Sequence, residues 1–291
     1  MAANLVIGVD VGGTKVLAGV IDREGNVHET VERATNNSSQ AALLDEIAEL
    51  VGRLPTTGVA AVGFGVPARV DQRTGVVVGA VNIPITEVSF RDEMEKRLGL
   101  RVGVENDGNA ATYAEFRLGA GRDVDSFVML TLGTGVGGGV VIDGSLYRGW
   151  AEFGHVVIVA DGEPCPGNCT GRGHVEAYCA GPAADKIARK LLGPQASARD
   201  LIAQKHPALD GVGHYLGIAI GSLVNIFNPE VVAIGGGFGV AGFDLLLPSA
   251  RPAVVREALA PSGSEVEIRR AELGFRAGLI GAGLVAFDAV R

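Results

Sequence analysis

Apolar positions in the first third of the chain switch between the period of strands and the period of helices. Residues 5–9 and 16–21 are near-continuous apolar runs rich in β-branched residues on either side of a glycine turn, which predicts strand, turn, strand, with Asp22 opening a second turn that ends at Gly25. Residues 40–54 place Leu43, Leu44, Ile47, Leu50 and Val51 on one helical face, and 59–66 reads as a strand. A second helix is expected from Ser89, whose hydroxyl would cap it with Asp92 as the acidic third residue, to Gly99. A strand over 101–105 and a helix over 109–118 follow, with Asp107 at the junction in the position of an N-cap.

Residues 119–123, rich in glycine and charge, read as the crossing into a second lobe. There, 181–192 and 215–227 have helical spacing, 230–234 is strand-like, and 277–290 predicts a closing helix. Alternating strands and helices give an α/β class. The expected division is a first lobe of 1–118 closed by 277–291, and a larger lobe of 119–276.

The opening pattern returns. A shift of 121 residues sets Asp10 on Thr131, Gly12 on Gly133 and Asp22 on Asp143, with apolar residues matching along both flanking runs. Two similar lobes with a cleft between them follow from a duplication.

Composition narrows the partners. The 291 residues carry a net charge of −8, and no basic cluster exceeds the pair Arg269 and Arg270, so nucleic acid is not an expected partner. No basic leader precedes the first strand, and the long uncharged stretch 211–229 is interrupted by His214, Ser222, Asn225 and Asn228. A buried helix and a cytoplasmic protein without membrane contact are expected. Three cysteines are too few for a disulfide framework. The 44 glycines show no triplet period, so they serve turns, close packing and ligand approach.

Two glycine loops carry candidate chemistry. Gly8-x4-Gly13-Thr14-Lys15 departs from a P-loop in residue order, and Gly133-Thr-Gly135-Val-Gly-Gly138 matches the dinucleotide fingerprint as a string. Both continue into strands rather than helices, which excludes either motif in its usual context. Both still suit phosphate: glycine lets backbone N–H groups approach an anion, and Thr14, Lys15, Thr131 and Thr134 add donors. Asp10 beside the first turn is placed for a hydrated Mg²⁺ ion.

Asp10-Val-Gly-Gly-Thr-Lys15, Glu105-Asn-Asp107, Leu132-Gly-Thr-Gly-Val-Gly-Gly-Gly139 and Glu152-Phe-Gly-His155, in this order and spacing, resemble the ROK family of sugar kinases and related repressors. The resemblance runs over essentially the whole chain. It implies an actin-like ATPase (ribonuclease H-like) fold, ATP held by the two hairpins, and a hexose phosphorylated in the interlobe cleft. Glucose stands first among the acceptors; mannose, fructose, N-acetylmannosamine, polyphosphate as donor and a non-enzymatic sugar sensor stay open. The family's repressors carry an N-terminal helix-turn-helix, whereas four residues precede the first strand here, which favours an enzyme. By the same resemblance a homodimer is expected.

Residue roles follow. Transfer to a sugar hydroxyl needs a carboxylate to receive its proton, and Asp107 is the candidate base, both capping its helix and catalysing. Gly65, Asn82, Asn106, Asp107, Glu152, His155 and Glu176 match sugar-contact positions. Asp10, Gly12, Gly13, Thr14, Lys15, Thr131, Gly133, Thr134 and Gly135 are the nucleotide set, with Gly235, Gly236 and Gly237 on the adenosine side.

The string Cys165-x3-Cys169-x4-His174, with His155 ten residues upstream, supplies four ligands suited to a closed tetrahedral Zn²⁺. The family's usual string is Cys-x-Cys-Gly-x2-Gly-Cys-x-Glu; here the first spacing is wider by two residues and His174 replaces the third cysteine. A structural zinc would then position the substrate loop. Cys179 lies outside the pattern and reads as a small core residue.

Overall fold

The computed structural model describes residues 4–80, 82–167 and 169–290, so the extreme ends of the expected first lobe, 1–3 and 291, lie outside the described residues. The chain forms two compact units, one of Met1–Gly119, Leu146–Trp150 and Arg276–Arg291, the other of Ala120–Ser145 and Ala151–Phe275.

The first unit opens with β1 (Leu5–Val11), β2 (Lys15–Asp22) and β3 (Val27–Ala34), followed by α1 (Gln40–Val51) and β4 (Val59–Val66). A small sheet of β5 (Ala68–Asp71), β6 (Val76–Ala80) and β7 (Thr86–Val88) comes next, then α2 (Phe90–Leu98), β8 (Arg101–Asn106) and α3 (Asp107–Leu118). The main sheet has the order β3-β2-β1-β4-β8. Its first three strands are antiparallel neighbours, whereas β1, β4 and β8 run parallel.

The second unit repeats the scheme. It contains β9 (Phe127–Leu132), β10 (Val136–Ile142), β11 (Ser145–Leu146), a 3₁₀ turn at Phe153–His155, α4 (Glu176–Cys179), α5 (Gly181–Leu192), α6 (Ala198–Ala203) and α7 (Leu209–Phe227). After these come β12 (Val231–Gly235), α8 (Gly237–Glu257), α9 (Ser262–Glu265) and β13 (Glu267–Arg270), and the chain returns to the first unit with α10 (Ala277–Ala289). The sheet order β11-β10-β9-β12-β13 matches the first sheet position for position, with β9, β12 and β13 parallel. The internal repeat read from the sequence is therefore a repeat of strand topology.

Part of the glycine content is explained by α10. Gly8, Gly63 and Gly103 are paired neighbours in one row across β1, β4 and β8. A Cβ at these positions would stand 2.3 Å from the Leu279 carbonyl, 1.9 Å from that of Ala282 and 2.7 Å from that of Val285. The row is a trough into which the helix backbone sinks. On its other side, Gly281 lets α10 cross α3 so closely that a Cβ would lie 1.8 Å from Ala110 O.

Local signals explain most element ends. Ser39 Oγ accepts from Ala42 N and starts α1, and Gly99 ends α2 in the left-handed region at φ 66°. Ser89 differs from expectation: its side chain makes no capping bond, and only its carbonyl accepts from Glu93 N. At α3 the cap is Asn106, whose Oδ1 accepts from Asn109 N, so the helix starts two residues earlier than expected and Asp107 is its first residue rather than its cap. Helix α7 begins at Leu209, earlier than expected, because Leu209 and Val212 extend its buried face.

Candidate active site

The carboxyl ends of the parallel strands gather the candidate residues of the first unit. Asp10 is in register with Gly65, and Gly65 with Glu105, so three strand ends form one row. At the usual spacing between strands the row is about 10 Å wide. Such ends are where open α/β sheets hold ligands.

The Glu105-Asn-Asp107 segment is fixed by one buried carboxylate. Glu105 Oε1 accepts from Gln72 Nε2 at 2.9 Å, Asn109 Nδ2 at 3.0 Å and its neighbour's Asn106 N at 3.0 Å. Burial raises its pKa, a shift opposed by the Asn109 and Asn106 hydrogen bonds and by Arg148. Asn106 is also committed, with Nδ2 donating to Ala68 O at 3.2 Å while Oδ1 caps α3. Asp107 Oδ1 accepts from Gly108 N at 2.8 Å. Because Asn106 does the capping, Asp107 stands half-buried in the first turn of α3. Gly65 is beside it, a Cβ there lying 3.6 Å from Asp107 Cα.

Asp10 is half-buried, and desolvation pushes its pKa up to about 6 against the pull of the Lys15 charge. Lys15 itself pairs with Glu32 at 3.0 Å on the exposed side of the hairpin. Asn82 packs on the first turn, its Cβ 3.0 Å from where a Gly13 Cβ would stand.

The two glycine turns share a pattern. In the first, Gly12 N donates to Lys15 O, while the Gly12 and Thr14 carbonyls accept from Thr35 and the Gly13 carbonyl from Asn37. In the second, Gly133 N donates to Gly135 O and Gly133 O accepts from Gly181 N at 2.8 Å. The backbone N–H groups of Gly13 and Thr14, and of their repeat partners Thr134 and Gly135, make no hydrogen bond among the described residues. Each turn thus commits carbonyls at its ends and leaves successive amides for an anion. Thr131 lies between Gly137 and Gly235 in the sheet, the place that Asp10 holds between Leu17 and Gly65.

Gly235, Gly236 and Gly237 join β12 to α8. Gly236 has φ 76°, and a Cβ on it would lie 2.4 Å from Leu132 O, so glycine is required. Beside this junction is a cavity of about 480 Å³ lined by Asp185, Ser197, Arg199, Ile202, Gly237 and Phe238. Its mix of apolar wall and a few polar groups suits a heterocycle with its ribose.

His155, Cys165, Cys169 and His174 converge, their ligand atoms all within 4.8 Å of one another. The two Nδ1 atoms are 3.4 Å apart, and each faces a thiol, His155 with Cys165 and His174 with Cys169, at 3.6 Å. A tetrahedral zinc with ordinary bond lengths has edges of about 3.4 Å between nitrogens and about 3.6 Å from nitrogen to sulfur. The four residues therefore fit that ion. The loop folds accordingly: Gly171 N donates to Cys169 Sγ, and Cys165 N to Gly171 O. Burial pushes the Cys165 thiol up to about 12, so metal binding must displace its proton. Cys179 is fully buried in the core of the second unit.

Within the second unit the sugar candidates adjoin both the loop and the turn. Glu152 and His155 flank Phe153, which is buried edge-on to Phe227, and a Cβ on Gly154 would stand 2.3 Å from Val136 O. Glu176 Oε2 accepts from Val136 N at 2.8 Å. The sequence reading missed this bond, and also the supporting roles of Gln72 and Arg148 around Glu105. All three depend on long-range contacts that no local motif announces.

Duplicated five-stranded units, each with an amide-rich turn between its first two strands, define the actin-like ATPase class of fold. A family model, the ROK family, matches residues 6–289, and the chain belongs to that family. It is 34% identical to a glucokinase of Streptomyces coelicolor over 96% of both chains. It is 31% identical to an N-acetyl-D-glucosamine kinase of Aliivibrio fischeri over 82% of this chain and 85% of the other. Among solved structures, a ROK family glucokinase from Streptomyces griseus in complex with glucose and AMPPNP matches with a TM-score of 0.84 at 32% identity, covering 98% of this chain and 99% of that one.

Proposed function

We propose that this protein transfers the terminal phosphoryl group of ATP to a hexose, with glucose as the acceptor and glucose 6-phosphate as the product. The observation that carries the reading is Asp107. It stands in the first turn of α3 at the carboxyl end of β8, relieved of capping by Asn106 and close to the row that holds Asp10. A carboxylate so placed can receive the proton of a sugar hydroxyl as phosphoryl transfer proceeds. The similarity to glucokinases over nearly the whole chain supports the same reading.

The free amides of the two glycine turns take phosphate oxygens, and the cavity beside Gly237 takes the nucleoside. Asp10 holds Mg²⁺ through its water shell, and that ion would neutralise phosphate charge. Asn82, Asn106, Glu152, His155 and Glu176 contact the sugar. His155, Cys165, Cys169 and His174 hold a structural Zn²⁺, which orders a loop poor in apolar anchors. A coupled assay of ADP release with a panel of sugars tests the proposal. Turnover on glucose is expected, and no turnover on any hexose or N-acetylhexosamine would refute it.

A further inference from the structure

Glu176 occupies an unusual position for a residue whose expected partner is a sugar. One of its carboxylate oxygens, Oε2, is already bound to the backbone of the second glycine turn, accepting from Val136 N at 2.8 Å. The fit around that oxygen is tight. A Cβ on Gly135 would stand 2.4 Å from it, and a Cβ on Gly154 would stand 3.3 Å from it. A few residues on, Gly181 N donates to Gly133 O at 2.8 Å, and a Cβ on Gly181 would lie 2.9 Å from that same oxygen. The turn is therefore gripped at both ends by one short stretch, with the Glu176 side chain on Val136 and the Gly181 backbone on Gly133.

These two bonds take Val136 N and Gly133 O and leave the Thr134 and Gly135 amides without a partner among the described residues. A glycine-rich turn has many accessible conformations, and only some direct successive amides toward one anion. A charge-assisted bond to the backbone of the turn selects among them. We infer that Glu176 is a positioning residue for the nucleotide: its carboxylate sets the conformation of the Gly133-Thr-Gly135-Val136 turn that binds phosphate. Oε1 makes no hydrogen bond among the described residues, so one carboxylate serves the turn with one oxygen and the sugar with the other. This inference rests on the nucleotide reading of the turn proposed above.

The test is the affinity of the purified protein for a non-hydrolysable ATP analogue, measured by calorimetry in the absence of sugar, with circular dichroism as the check on folding. Losing a hydrogen bond to a charged acceptor corresponds to roughly a tenfold effect or more, so Glu176→Ala is expected to weaken the analogue about tenfold. Glu176→Gln keeps an oxygen for Val136 N and should bind the analogue within about threefold of the parent, by the same hydrogen-bond scale. Gly135→Ala drives a Cβ against Oε2 and should weaken the analogue like Glu176→Ala. In the double variant the two losses should fall well short of adding, because both act on one contact. If Glu176→Ala fails to fold, the Gln and Gly135→Ala variants still decide the matter. Parental affinity in Glu176→Ala, or in a folded Gly135→Ala, overturns the inference while leaving the nucleotide reading intact. A parent protein that binds no ATP analogue at all overturns the nucleotide reading, and the inference with it.

Discussion

The carboxylate of Asp10 lies against Gly278 in the first turn of α10, where a Cβ would stand only 2.7 Å from Oδ2. The helix that sinks into the glycine trough of the sheet thereby also shields this carboxylate from water. That shielding is what raises its pKa to about 6.

The sign of the resulting pH dependence follows. Asp10 titrates at 3.8 when unperturbed and at about 6 when folded. Below 3.8 it is protonated in both states and has no influence. Between 3.8 and about 6 the folded state keeps a proton that the unfolded state has lost, so its contribution to stability falls as pH rises. Above about 6 the penalty is complete, on the order of 3 kcal/mol. Asp10→Asn should therefore raise the thermal midpoint at pH 7 to 8 and leave it nearly unchanged at pH 3, as followed by scanning calorimetry.

Activity should have the opposite dependence. In the proposed role Asp10 must be ionised to hold Mg²⁺, so kcat/KM for ATP should fall as pH drops through about 6, and excess Mg²⁺ should move that acidic limb to lower pH by competing with the proton. A limb whose position ignores Mg²⁺ concentration would detach Asp10 from the metal.

Asp107→Asn should lower kcat by about 10²- to 10⁴-fold, the scale of losing a general base. Glucose affinity should largely survive, since Asn keeps the shape and still hydrogen-bonds a hydroxyl. The helix should also survive, because the capping oxygen belongs to Asn106. Calorimetric sugar binding beside steady-state kinetics separates these effects, and near-normal kcat in a folded variant would remove Asp107 from the mechanism.

The trough predicts its own sensitivity. Gly63→Ala would bring a Cβ to 1.9 Å from Ala282 O, and the contact is backbone on both sides, so no rotamer can relieve it. Overpacking of this kind costs about 1–3 kcal/mol or more. A fall of several degrees in the thermal midpoint is expected, whereas Gly58→Ala, with nothing within 4 Å of the new atom, should lose less despite its φ of 82°.

Local patterns made part of this protein legible. Alternation and turn residues announced β1, β2, β4, β8 and β12, and helical spacing announced α1, α5 and α10, because those elements bury one continuous face. Strand β3 went unseen because its sequence, Val-His-Glu-Thr-Val-Glu-Arg-Ala, is mostly exposed at the sheet edge. Helix α8 was hidden by Pro248 and Pro252 inside it, which local propensity reads as breaks. At the site, the residue types of the Glu105-Asn-Asp107 motif were visible, but not the division of labour. That depends on Asn109 N reaching Asn106, while Gln72, far away in sequence, fixes Glu105. The metal cluster was legible as a ligand count, and its tetrahedral edges appeared only in three dimensions.

That cluster carries the last prediction. Metal analysis should find about one Zn²⁺ per chain, as for a closed four-ligand site, and Cys165→Ser or Cys169→Ser should lose it. Sequence position alone would confine the damage to the sugar, because the nucleotide turns lie on separate hairpins. The structure extends it. Val157 and His174 form a bridge that ties the loop to the 3₁₀ turn region, and Glu176, two residues beyond the last ligand, reaches Val136. Loosening His174 should therefore loosen both Glu152–His155, proposed to contact the sugar, and the second glycine turn, proposed to hold phosphate. Chelated protein should show weakened binding of glucose and of a non-hydrolysable ATP analogue together, measured by calorimetry on protein whose circular dichroism shows it still folded. Sugar binding lost with nucleotide affinity intact would confine the cluster to the substrate loop, and both affinities unchanged would show that the four ligands do not organise the site at all.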